Sequence, residues 1–173
     1  MTSADGGEHP AELIYSKRMS ETLARVYPQA SEELQLAIRA QHLKRWTAPR
    51  DDFPMDRKGY HAWRNAAKVM HAEEAGELLS KVGFEADKIT RVQMLIRKEH
   101  IKRDEEAQAV EDVASLVFLE HYFSAFAMKH DHDKLVRIVR KTWGKMSETG
   151  QAAALKLQLE AAHSQIVQEA LAG

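Results

Sequence analysis

Asp104-Glu-Glu-Ala-Gln-Ala-Val-Glu-Asp-Val-Ala-Ser-Leu-Val-Phe-Leu-Glu120 decides the fold. Asp104 opens a helix whose middle, Val113 to Leu119, is apolar on every side, the pattern of a helix buried at the centre of a fold. Working outward, apolar residues recur at helical spacing almost everywhere. No segment shows the bounded alternation of a strand. The chain therefore reads all-α, with about seven helices.

Punctuation sets the expected boundaries. Pro10 suits the first turn of a helix running to about Tyr27, and Pro28 stops it. Ser31 caps a second helix, with Glu32 and Glu33 in its positive first turn, which carries Leu34, Ala37 and Ile38 and continues through Arg39-Ala-Gln-His-Leu-Lys-Arg-Trp46 until just before Pro49. A third helix runs from about Asp56 to Gly83, and Gly59 and Gly76 predict either a break or a close neighbour. The remaining helices are expected at about 85–98, from Asp104, at 133–143 and at 147–171. Residues 1–9 read as a flexible N-terminus and 10–173 as one compact orthogonal helical domain, since 173 residues suffice for a real core.

Composition excludes several classes. The formal net charge is -1 and the pI is near 6.8, against the basic face of a general nucleic-acid binder. With no Cys, disulfides, thiolate metal sites and cysteine nucleophiles are ruled out, and a reducing compartment is consistent. No basic, apolar leader and no run of about 18 apolar residues occurs, so the expectation is a cytoplasmic protein without a membrane span.

Charge is nevertheless segregated. Arg39 to Arg64 holds seven Lys or Arg and three Asp, and its Trp, Tyr and His are interleaved with them; Asp104 to Glu120 holds six acids and no Lys or Arg. Guanidinium groups grip phosphate or carboxylate bidentately and keep their charge when partly buried. On helical spacing Arg39, His42 and Arg45 share one stripe, and Arg57, Tyr60 and Arg64 another, with Trp63 at its edge. Arg45, Arg50, Arg57, Arg64 and Trp63 are thus candidates to hold an anionic small molecule. The competing role for the arginines is an ion-pair network with Asp51, Asp52, Asp56, Glu111 and Asp112. Lys134 to Lys145 holds five cations and no acid, either a solvated face or, through Lys141, a further contact to an anion.

His42, His71 and the Glu111-Asp112 pair sit beside apolar helix surface. Imidazoles and a carboxylate there can converge on Mn, Fe, Ni or Zn and lower the pKa of a bound water; the alternative is satisfied core residues. His130-Asp-His-Asp133 lies between helices, where Asp131 or Asp133 serves as a cap. Phosphate-binding glycine loops, His-Glu-x-x-His and Asp-rich calcium loops are absent from the sequence.

The runs at 39–46, 53–64, His71-Ala72, Glu111 to Glu120 and Lys141-Thr-Trp-Gly-Lys-Met-Ser147 resemble a family of small helical proteins described only as a domain of unknown function. More distantly, the chain is similar to the His-Asp (HD) superfamily of helical metal-dependent phosphohydrolases. Leu36 to His42 looks like its second-helix motif, with Gln41-His42 in place of the His-Asp pair. His71 to Leu79 and Ile89 to Ile96 look like its middle helices, and Glu111-Asp112 like its late Asp. The early His falls near Tyr15. That resemblance implies His42, His71 and Asp112 as metal ligands, Glu111 as the catalytic group, and hydrolysis of a nucleotide or other small phosphorylated molecule. The alternative is a non-catalytic anion-binding or nucleotide-binding, or protein-docking, module with a degenerate site.

Overall fold

Helices account for the regular structure from Ala11 onward in a computed structural model that describes residues 2–4 and 7–172. Before them, Thr2–Ala4 (β1) and Gly7–His9 (β2) pair antiparallel. Of the expected N-terminal segment 1–9, Met1, Asp5 and Gly6 lie outside the described residues, as does Gly173 at the other end. Nine α-helices follow among the described residues: Ala11–Val26 (α1), Glu32–Arg39 (α2), Arg57–Lys81 (α3), Ala86–Arg97 (α4), Glu105–Val117 (α5), Phe123–Ala127 (α6), His132–Trp143 (α7), Glu148–Ala154 (α8) and Ala161–Ala172 (α9). Contacts divide the chain into two compact units, 1–110 and 111–173, and the division falls within α5.

In the first unit α2 packs on α1 and α4, and α4 packs on α3. Met19, Leu23, Leu34, Ala37, Ile38, Ala72, Val92, Leu95 and Ile96 are buried there. Tyr27 ends α1 because it precedes Pro28, and its extended φ of -128° suits that position. Ser31 caps α2, accepting from the Leu34 N–H at 3.1 Å and donating to Glu106 Oε1 at 2.5 Å. Asp56 caps α3 by accepting from Gly59 N–H at 2.7 Å. That helix is continuous, so its glycines mark close neighbours. A Cβ on Gly59 would lie 2.7 and 2.9 Å from Pro54 C and Cα and would overlap the Pro54 carbonyl oxygen; at Gly76 it would run into Gln93. Asp104 caps α5 through Glu106 and Ala107 N–H and is paired with Arg91.

Two expected helices are shorter than their periodicity implies. The second stops at Arg39, and Lys44 adopts left-handed φ of 50°, so His42 and Arg45 lie in a loop of turns and not on a helical stripe. Two freed carbonyls find tertiary donors, His71 Nδ1 lying 2.7 Å from Leu43 O and Trp63 Nε1 donating to Ala48 O at 2.9 Å; farther along, Arg50 donates to Phe53 O at 2.9 Å and Pro54 O at 2.7 Å. The first two bonds replace ones a helix would have made, which is why the sequence period misleads there. Likewise 147–171 is two helices, closed at the break by i→i+3 bonds from Lys156 and Leu157 N–H.

The second unit is built on the apolar half of α5 and its continuation. Val113, Leu116 and Val117 are fully buried, and at Phe118–Tyr122 the helix widens to π geometry before α6. α7 packs on α9. Phe123, Leu135, Val136, Val139, Ile166 and Ala170 form its core, with Phe118, Phe126 and Val167 against them. Asp131 caps α7 through Lys134 N–H at 2.8 Å, and Ser147 caps α8.

Candidate functional site

One cluster in the first unit gathers much of the chemistry-bearing side chains. Tyr15 comes from α1, His42 and Arg45 from the loop after α2, Tyr60, Trp63, Arg64 and His71 from α3, and Lys98 from the end of α4. The Tyr15 and His42 rings stack at 3.6 Å between centroids and 11° between planes, and the His42 and His71 centroids are 6.1 Å apart. The Arg45 guanidinium lies 4.7 Å over the Trp63 ring, and Arg64 donates to Tyr60 Oη at 3.3 Å. Thus Tyr15 packs flat on an imidazole.

The electrostatics follow from the burial and the charges. Burial pushes His42 down to about 2, and Arg45, His71, Arg64 and Lys98 add to the shift. His71, only 3% exposed, is also lowered, by burial first, with the Leu43 carbonyl opposing and Arg45 assisting. Burial lowers Arg45 as well; Arg64 adds to this, while Tyr15, Tyr60 and Glu12 oppose it. Three cations therefore bear on His42, and Arg45 bears on both imidazoles. In His71 the bond to a carbonyl requires Nδ1 to carry the proton, so in the neutral ring Nε2 is an acceptor. That Nε2 is buried and has no hydrogen-bond partner.

The other expected site residues have different surroundings. Arg50 binds the carbonyls of its own loop, and Arg57 is exposed at the first turn of α3. Glu111, Asp112 and Lys141 belong to the second unit. There Asp112, with no exposed surface, accepts from Ser147 N–H at 2.8 Å and from the Ser147 hydroxyl. Glu111 lies 3.9 Å from Lys145 Nζ, and Lys141 is exposed on α7. Among the described residues no three His, Asp or Glu side chains group to hold an ion. Lys98 was not singled out from sequence, because a lysine at a helix C-terminus is ordinary. The packing of α4 on α2 and α3 brings its charge to bear on His42.

The family comparison agrees with the motifs. Residues 1–167 match the family model described as Domain of unknown function (DUF4202), and the chain belongs to that family. Neither a curated protein nor a solved structure matches it. No helix among the described residues is long and apolar enough to cross a membrane.

Proposed function

We propose that the first unit binds a small anion of the phosphate class, free or borne by a phosphorylated small molecule, through Arg45, Arg64 and Lys98 beside His42 and His71. The observation that carries this reading is that three cations bear on the buried His42, one of which, Arg45, also bears on the buried His71. Guanidinium and ammonium groups in a partly desolvated site attract an anion more strongly than they would in bulk water. Arg45 is held in place by Trp63, so little side-chain freedom remains to be lost on binding. A nucleotide would add contacts of its base to the 41%-exposed ring of Tyr60.

Calorimetric titration of the full chain with inorganic phosphate and with a panel of phosphorylated small molecules tests this. Binding should weaken as salt rises and should drop in Arg64→Gln, a substitution at an exposed position. Ligand at one hundred times its Kd should also stabilise the fold by about 2.7 kcal/mol. Absence of heat and of thermal stabilisation with every compound at millimolar concentration would remove the proposal.

Metal-dependent phosphoester hydrolysis in an HD-like site is the second reading. His71 favours it, because an imidazole oriented by a carbonyl at one nitrogen and open at the other is the arrangement of many metal-bound histidines. Turnover of phosphoesters with added manganese, iron, nickel or zinc separates it from simple binding.

A further inference from the structure

A buried acceptor without a donor is uncommon in a folded protein, and each instance calls for a physical reason. At His71 the reason is set by the backbone. Leu43 O lies 2.7 Å from Nδ1 and holds the proton there, and the ring, 3% exposed, has no freedom to present its other face. Arg45 bears on both imidazoles, Arg64 and Lys98 bear on His42, and Glu12 bears on Arg45. A ligand beside His71 therefore meets donors from Arg45 and one acceptor from His71. Fully ionised oxyanions offer only acceptors and would leave Nε2 stranded or set against like lone pairs.

We infer that the site selects anions that themselves carry a donor hydrogen, with monohydrogen phosphate the simplest, and that His71 Nε2 is the group that reads that hydrogen. The inference rests on the anion-binding reading above and adds the specificity-determining residue to it. Phosphate near neutral pH keeps at least one O–H; sulfate keeps none at the same size and shape. A phosphorylated small molecule meets the same requirement through a singly protonated phosphate or through a hydroxyl beside it.

The experiment is a set of calorimetric titrations near neutral pH with phosphate, arsenate, sulfate and selenate. Phosphate and arsenate should bind about tenfold or more tightly than sulfate and selenate, the factor expected when a buried acceptor is left unmatched. His71→Asn keeps an N–H for Leu43 O and removes the acceptor at Nε2. It should weaken phosphate and leave sulfate unchanged, erasing the preference. Equal affinity for phosphate and sulfate overturns the role of His71 while the anion site stands. Arsenate grouping with sulfate also overturns it, because size and not the proton then decides. If none of the four binds, the anion site itself falls. Should His71→Asn fail to fold, the ordering of the four anions on the wild-type chain decides alone.

Discussion

Replacing Asp112 by alanine removes the acceptor of two hydrogen bonds at once, from the Ser147 N–H and the Ser147 hydroxyl. Ser147 Oγ in turn accepts from Gly150 N–H at 3.2 Å, so the carboxylate organises the start of α8 from inside the second unit. Hydrogen bonds to a charged group contribute about 1.5–3 kcal/mol each, less where water can reach the abandoned donor. Asp112 is fully buried and Ser147 is half-buried, so the expected loss for Asp112→Ala is about 2–4 kcal/mol. Asp112→Asn should cost only about 1 kcal/mol, because its oxygen keeps the backbone donor while its amide donates to a hydroxyl with a spare lone pair. Urea titration followed by circular dichroism, with linear extrapolation to water, measures both. The reasoning is refuted if Asp112→Ala unfolds at the wild-type midpoint. A carboxylate kept for metal binding would give the opposite pattern, with unchanged stability and metal affinity lost in both variants.

Gly59→Ala should destabilise the protein by about 2 kcal/mol or more despite alanine's higher helix propensity, because the added methyl meets the backbone of Pro54; thermal melts give the sign. Arg50→Ala should cost about 1–2 kcal/mol by freeing the carbonyls of Phe53 and Pro54, and it should leave phosphate affinity unchanged, which separates a loop clamp from a ligand arginine. The pH dependence of stability carries the sign of a depressed histidine: above about 6.5, the value in the unfolded chain, His42 is neutral in both states and its contribution is complete. As the pH falls below that, the unfolded chain takes up a proton that the folded one refuses until about 2, so stability declines across the window. In His42→Phe, which preserves the stacking on Tyr15, the decline should be shallower in denaturation curves taken at several pH values.

Local rules made a large part of the fold legible. Ser31, Asp56, Asp104, Asp131 and Ser147 cap helices where a short polar side chain precedes an apolar period. Such signals act within a few residues and need no partner elsewhere in the chain. The loop over 40–48 was not legible, because its Leu43 and Ala48 carbonyls are satisfied by His71 and Trp63, side chains distant in sequence. The candidate site shares that difficulty: Arg45, Arg64, His42 and His71 were recognisable as types, while Lys98 was not.

Composition and periodicity by themselves established an all-helical chain without cysteine chemistry, the caps that start its helices, and the motifs shared with its family. Tertiary structure alone decided where the second helix stops, which arginines hold the loop and which face the imidazoles, and that Asp112 binds Ser147. The division has a physical cause. Helix formation and capping depend on neighbours a turn apart, whereas the charge, the hydrogen-bond partners and the burial of a side chain depend on residues that only folding brings near.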